Sequence, residues 1–565
     1  MHALIEREAK PWAASNGHDR GEPGEAEAKP NDDAAMYGRN EPDGCPPGPP
    51  TIYIKAGQLG RLVNETEAAI LAADRGVYKR GVQIVRIGEI ELLGADEKKT
   101  TALAILDQNE HALLEDVSAS AQFLKYNKRE DAWVPTDPPM TVVKAWQARA
   151  SRLRLPLLSG VISTPLILPT GRIIERPGYD ENTGFYFDPL GTVFPPMPST
   201  PTRDDARDAL DLLKGLIEEF PFIDEASRAV ALSGLLTSVA RRALDFAFMH
   251  AVTAPAFGSG KSYLVDLFCV LATGRAAPVV TQGKTAEEFE KRLDAHLLKG
   301  VGHMAIDNIS RPLQGERLCQ ILTQTFLDIR PLGTSGNTTV QPDAFVSATG
   351  TNITIVEDLR RRSLLCSMDA KEERPELRKF RADPLKAVRE DRGKYVAAVL
   401  TIIRAFMLSG KRRAEPINGY ARYCAMIRDP LIWLGCDDPC TTMETIREQD
   451  TTLGTKKQIA RHWKAIFGNE PKTALQVVTE ASKRGCYDDE LAHPDFYAVL
   501  SEVARDGKTL SVRRLGYWLR KAKGDVFSLL EDDPLKPGTT KSTTHWFEAS
   551  FVDRNDSTHW ELKWP

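Results

Sequence analysis

The chain has little that would send it to a membrane or out of a cell. No apolar run in its 565 residues reaches the length of a bilayer span; the best, Ala229 to Ala240, stops at Arg241-Arg242. The opening M-H-A-L-I-E-R-E-A-K-P lacks the apolar core of a signal peptide. Cysteine is sparse, eight in all and scattered. Cys436 and Cys440 sit four apart with no second Cys or His pair at ligand spacing, which argues against zinc and fits reduced thiols in a cytoplasm. No sign of charge dominates: a net charge of −4 excludes a chain that is basic throughout, so any grip on nucleic acid must come from local patches. Residues 51–163 also lack paired carboxylates with a partner histidine, the set a two-metal polymerase or primase needs. What remains is the composition of an ordinary soluble chain, 27% charged and 42% apolar, long enough for three or four domains.

Texture divides the chain. Residues 1–50 hold eight prolines and six glycines and too few large apolar residues to fold, so they read as a disordered tail. Residues 51–163 alternate strand-like and amphipathic pieces and read as an α/β accessory domain. Residues 164–201, proline- and glycine-rich, read as a connector bearing a hairpin. Thr202 opens two segments with helical spacing, expected as a collar in a unit running to 384; 385–470 are helical by period, like a lid.

The stretch F-M-H-A-V-T-A-P-A-F-G-S-G-K-S, Phe248 to Ser262, organises the middle. It predicts a buried strand, a glycine-bearing loop and a helix opening at Lys261-Ser262, the layout of a phosphate-binding loop. Pro255, Ala256, Phe257, Gly258, Ser259, Gly260, Lys261, Ser262 and Tyr263 are the ATP-binding candidates, although Pro255 stands where the motif has glycine. Lys261 would reach the β/γ-phosphates and the Ser262 hydroxyl would ligate Mg²⁺. Forty-six residues after Lys261, an apolar strand ends in Asp307-Asn308, where Asp307 suits a Mg²⁺-organising acid. A third strand ends at Asn352, an amide able to orient a water. Arg360-Arg361-Arg362 follow, placed for an arginine finger.

The texts A-P-A-F-G-S-G-K-S-Y-L-V-D, A-I-D-N-I-S-R-P-L, I-R-P-L-G-T-S-G, A-T-G-T-N, D-L-R-R-R and E-R-P-E-L-R-K-F come in one order. In this the chain resembles the AAA+ type ATPase core of superfamily-three helicases, and more closely those of prophages, plasmids and integrative elements, often found with primase-polymerases. The resemblance is sharpest from about Ala226 to Phe380. It implies an ATP-dependent DNA helicase using ATP and Mg²⁺, with Lys261 and Ser262 as the Walker A pair, Asp307 the Walker B acid and Asn352 the sensor. It also implies a finger at Arg361 or Arg362 acting on a neighbour's nucleotide in a homo-hexamer, and a DNA-gripping hairpin with Arg330 and the tip Gly333, Thr334 and Ser335. A primase-polymerase or replication initiator would be its partner. Asn308 departs from the family, where a second acid polarises the water: Asp307 serves both roles, Glu316 reaches in, or turnover is slow. A DNA-binding AAA+ switch without unwinding is the alternative function.

Residues 471–565 predict helices, then the basic helix L-S-V-R-R-L-G-Y-W-L-R-K-A-K-G with Ser511 as N-cap and Gly524 as stop, then a hairpin. Arg513, Arg514, Arg520 and Lys521 are its DNA-binding candidates, in the pattern of a winged helix laid on duplex. The expected fold class is therefore α/β: a P-loop AAA+ type ATPase core with helical collar, an N-terminal α/β accessory domain and a C-terminal winged-helix domain.

Overall fold

An uncharged run makes Met249–Ala254 (β1) a strand buried along nearly its whole length, as the interior of a parallel sheet requires. In a computed structural model, which describes residues 48–564 apart from 94–98, 150–151, 331–337, 412–413, 449–450, 485–489, 508, 533–539 and 555, β1 lies inside a five-stranded sheet. Its partners are Val279–Val280 (β2), His303–Ile309 (β3), Phe345–Thr351 (β4) and Ser363–Ser367 (β5). All neighbours pair in parallel, in the order β2-β3-β4-β1-β5. The chain leaves β1 for the far edge and works back, so the carboxyl ends of β1, β3 and β4 meet over one crevice, the usual place for a ligand in such sheets. All but the last three residues of the tail expected over 1–50 lie outside the described residues.

Two apolar clusters cover the faces of the sheet. On one, Lys261–Thr273 (α1), ending at Gly274 with φ +78°, buries Leu264, Leu267, Phe268 and Leu271. On the other, Ile306, Val346 and Ala348 pack with Leu318 and Ile321. Two histidines are built into the sheet. His250 meets the Ser233 hydroxyl at 2.9 Å and His303 the Ser347 hydroxyl at 2.8 Å; burial drops both rings to about 3, so they are neutral.

The helices Arg203–Ile217 and Glu225–Ala240, expected as a collar, are capped by Thr202, in a capping box with Asp205, and by Asp224. Two features differ from the sequence-based division. Arg392–Leu408, expected in a lid, packs along Arg203–Ile217, so Val399 and Ile403 share one core with Leu210 and Leu213. Thr451–Phe467, also expected there, gives Ile459, Ala460 and Trp463 to the C-terminal core, against Phe496, Leu500 and Phe547. Helical period identified both elements; the apolar stripe of each is indifferent to which neighbour it meets.

The N-terminal residues form a mixed α/β unit. Thr51–Ile54 pairs with Gln122–Asn127 under the helices Leu59–Ala72, Glu110–Ser120 and Met140–Gln147, around Phe123 and Trp146. A small sheet of Gly160–Ile162, Phe185–Phe187 and Gly178–Tyr179 joins residues on both sides of 163. In the C-terminal unit, Ala474–Ala481, Pro494–Ala504 and Val512–Ala522 (α2) precede the hairpin Phe527–Asp532/Thr540–Val552, to which Thr558–Lys563 adds a strand. No helix among the described residues is long and apolar enough to cross a membrane.

Candidate nucleotide site and basic helix

The loop after β1 turns on two glycines in the left-handed region, Gly258 (φ +74°) and Gly260 (φ +91°). A side chain is excluded at Gly258 for a second reason: its Cβ would lie 2.9 Å from the Cβ of Glu376 and 3.0 Å from that residue's backbone nitrogen. The turn Pro375–Leu377 thus closes over the loop. Gly260 caps α1 without a side chain, which leaves the first N–H groups of the helix open to an anion.

Lys261 is 9% exposed, and its ammonium donates to the Ala256 carbonyl at 2.7 Å, as does the Ser259 hydroxyl. Burial lowers the Lys261 pKa, partly offset by the Asp307 carboxylate nearby. The ammonium also lies 5.9 Å from the Phe257 ring, which stands 76% exposed at the loop tip. Pro255 is exposed at the loop's start; burial, and then the hydrogen bond to Asp383, raises the Tyr263 phenol to about 12.

Asp307, two residues before the end of β3, brings the site together. Its Oδ1 accepts from the Ser262 hydroxyl at 3.4 Å, from the Thr349 hydroxyl and from the Asn308 N–H at 2.8 Å. The Ser262–Asp307 spacing of 3.4 Å is wider than the roughly 2.9 Å between adjacent corners of a Mg²⁺ octahedron, so the two oxygens would close by about half an ångström to share an ion. Among the described residues no group of three or more His, Cys, Asp or Glu is suited to a metal. An ion held by one carboxylate, one hydroxyl, phosphate and water has no need of one. A second acid, Asp266, lies one turn along α1 from Ser262 and accepts from the Ala277 N–H at 3.0 Å. Burial raises its carboxyl, and the Asp307 charge adds to the rise, so a cation here relieves repulsion.

Two amides crown the crevice. Asn308 and Asn352 are both exposed and both in the left-handed region, φ +56° and +48°, a conformation that asparagine tolerates better than most residues. The end of β4 is pinned to β1: the Asn352 N–H donates to the Ala254 carbonyl at 3.3 Å and the Ile353 N–H to the Thr253 hydroxyl at 3.0 Å. Glu316, the other acid considered, is exposed in the first turn of Glu316–Thr323 and accepts from Gln320 at 3.1 Å.

The arginines are elsewhere. Ser363, where β5 begins, is level with Met249 at the start of β1, so the turn Glu357–Arg362 sits about a strand's length, ~17 Å, from the loop. Arg362 is tied down, donating to the Cys319 carbonyl at 2.9 Å and the Thr323 hydroxyl at 2.5 Å and pairing with Asp358 at 2.6 Å. Arg361, its side chain 64% exposed, projects outward beside Asp358. Leu327–Ile329 and Thr338–Val340 form an antiparallel hairpin with exposed Arg330 just beyond its first strand; Gly333, Thr334 and Ser335 lie outside the described residues.

On α2, Ser511 caps the helix, and Leu515, Leu519 and Ala522 face the core. Arg513, Arg514, Arg520 and Lys521 are exposed on the other side. Lys521 reaches Glu357, in the arginine-bearing turn, at 2.7 Å.

Sequence reasoning gave no role to Thr349, Thr253, Asp266 or the Pro375–Leu377 turn, although Asp266, Thr349 and the turn lie within the texts that carry the resemblance.

No protein-family model matches the sequence, and no curated protein matches it significantly. Among solved structures, an apo structure of the NrS-1 C-terminal region aligns with 84% of this chain and 97% of its own, at 11% identity and a TM-score of 0.35. Its A form aligns with 80% and 99%, at 11% identity and 0.32. An active helicase, the SCCmec type IV Cch, aligns with 82% of each chain at 13% identity and 0.26. Likeness this remote decides nothing, and the chemistry has to be read from the chain's own side chains.

Proposed function

We propose that the chain is an ATP-dependent DNA helicase of the replicative, mobile-element or prophage type, with a P-loop AAA+ core. The observation that carries this is the meeting of Ser262 and Asp307, forty-five residues apart, beside a glycine loop whose lysine is buried. In this reading the loop N–H groups and Lys261 hold the β/γ-phosphates of ATP, the ammonium exchanging the Ala256 carbonyl for phosphate oxygen. Ser262 and Asp307 would hold Mg²⁺, with Thr349 fixing the carboxylate. The ion would supply positive charge against the charge that develops on the transferred phosphoryl group. Asn352 orients the attacking water, and Arg361 of a neighbouring subunit stabilises the transferred phosphoryl group. A finger ~17 Å from its own loop needs such a neighbour, which supports a closed ring, and a homo-hexamer is the expected form. The hairpin carrying Arg330 would grip DNA in the channel, and α2 would hold DNA as the recognition helix of a winged-helix unit. A primase-polymerase or initiator is the expected partner.

A second reading, a DNA-binding AAA+ switch that does not unwind, is favoured by Asn308, which cannot take a proton from water. Strand displacement separates the two: the helicase requires unwinding that needs ATP and disappears in Lys261→Ala, while the switch binds DNA without displacement. ATPase rates with and without single-stranded DNA for wild type, Asn308→Asp and Glu316→Gln identify the acid. Asn308→Asp raises turnover if the missing carboxylate limits it, and Glu316→Gln lowers it only if Glu316 serves.

A further inference from the structure

We propose that the exposed face of α2 is a stacking site for an unpaired base of single-stranded DNA, centred on Tyr517. This rests on the DNA-binding reading above and narrows it, since that reading assigned α2 to duplex. Tyr517 is 68% exposed, while Leu515, Leu519 and Ala522 of the same helix are buried. Trp518 is spoken for, its ring packing edge-on against Phe547 at 5.8 Å. The helical period puts Arg513 and Lys521 one turn to either side of Tyr517, with Arg514 and Arg520 beside them. An aromatic ring therefore stands in water at the centre of four cations. It opens on a cleft of about 640 Å³, bounded also by the edge of Trp518 and by Val503, Asp506 and Ser511, which is within the range of ligand pockets.

That arrangement suits a single strand better than a duplex. In a duplex the base faces are already stacked inside and only edges reach the groove, so a projecting phenol finds no π-face to cover. On a single strand the ring stacks on one base while cations a turn away, about 5.4 Å along the axis, take the flanking phosphates. The cations are held loosely enough to be taken over. Lys521–Glu357 and Arg514–Asp506 (3.5 Å) join side chains that are each about half exposed or more, the kind of pair that contributes little; Arg514 also donates to the Arg505 carbonyl and Arg520 to the Gly516 carbonyl at 3.3 Å, both at exposed positions. A bound strand would compete with Glu357 for Lys521.

The test measures binding of the full chain, at one fixed salt concentration, to oligo-dT, to a mixed-sequence duplex, to oligo-U, and to a single strand carrying one 2-aminopurine. Tyr517→Leu should weaken oligo-dT binding about tenfold or more, remove the 2-aminopurine quench and leave duplex binding within about twofold, while Tyr517→Phe behaves as wild type. Equal losses on single strand and duplex, or no loss on either, would overturn the stacking site, as would Tyr517-dependent binding that prefers oligo-U. Arg513→Gln and Arg520→Gln separate the two levels. If they weaken every DNA while Tyr517→Leu does nothing, α2 binds DNA but does not stack a base. If neither arginine variant nor Tyr517→Leu changes DNA binding, the DNA reading of α2 fails as well.

Discussion

Gly258→Ala tests whether the Pro375–Leu377 turn seals the nucleotide loop. The new methyl meets two obstacles. The backbone at φ +74° costs a residue with a Cβ about 1–2 kcal/mol. The Cβ also lies 2.9–3.2 Å from the Cβ, backbone nitrogen and Cα of Glu376, none of them the far end of a flexible side chain. Overpacking of that kind costs about 1–3 kcal/mol if nothing moves. The turn can escape by lifting from the loop, so the second cost should appear as lost nucleotide affinity rather than global unfolding. Gly419→Ala is the control, because it has φ +83° and nothing within 4 Å of its Cβ. Titration with a fluorescent ATP analogue and urea unfolding of both variants are the assays. Both should lose about 1–2 kcal/mol of stability, but only Gly258→Ala should raise the nucleotide Kd, by about tenfold or more. If Gly258→Ala binds nucleotide as wild type does, the turn is not part of the site and the closed loop is a misreading.

Arg241 is 4% exposed and donates to the carbonyls of Ala344 and Leu244 at 3.0 Å and of Pro342 at 2.7 Å, so Arg241→Leu should cost about 3–5 kcal/mol in urea unfolding; a loss under about 1 kcal/mol would mean that water reaches those carbonyls. His250 and His303 titrate near 3 when folded and near 6.5 when unfolded, so between those values the unfolded chain binds more protons. Their contribution is intact above about pH 6.5 and is lost as pH falls toward 3, by about 1.4 kcal/mol per pH unit for each ring; a flat stability profile between pH 7 and 5 would show that the rings are not dry. Arg361→Ala should leave stability within about 0.5 kcal/mol and cut ATP turnover by about a thousandfold. Arg362→Ala should cost about 1–3 kcal/mol through its lost partners, and the reverse pattern would exchange their roles.

How much of this was legible in the sequence follows from the range of each interaction. β1, the loop and α1 could be read because their signals are local: an uncharged run, two glycines and an apolar stripe within 26 residues of chain, from Phe248 to Thr273. The approach of Asp307 to Ser262 had to be inferred from motif order, since nothing local reports a contact across three strands. Thr349 on Asp307 and Glu376 on Gly258 left no usable pattern, for their chemistry is that of any threonine in a strand or any glutamate in a turn. Helix 451–467 was found but assigned to the wrong neighbour, because an apolar stripe states that something covers it and not what. Tyr517 was noticed within a charge run. That it stands in water while Trp518 packs partly buried against Phe547 depended on the rotation of α2.

On the proposed reading, the distribution of groups along β1 makes the nucleotide site half of something larger. Everything that would touch phosphate or metal sits at the carboxyl end of the sheet, whereas Arg361 leaves the other end, further off than its side chain can reach. Arg361 also has little reason to be where it is within a single chain: its one described ion-pair partner, Asp358, already serves Arg362. The same turn is touched by Lys521 from α2, so the surface that would face a neighbour's nucleotide and the surface that would hold DNA meet at Glu357. A strand that drew Lys521 onto phosphate would free Glu357 within the turn that carries the finger. The physical coupling between DNA and ATP would then run through one exposed ion pair, and Glu357→Gln should weaken the DNA stimulation of ATPase while leaving single-strand affinity unchanged or higher. Undiminished stimulation in that variant would place the coupling elsewhere, in the Arg330 hairpin.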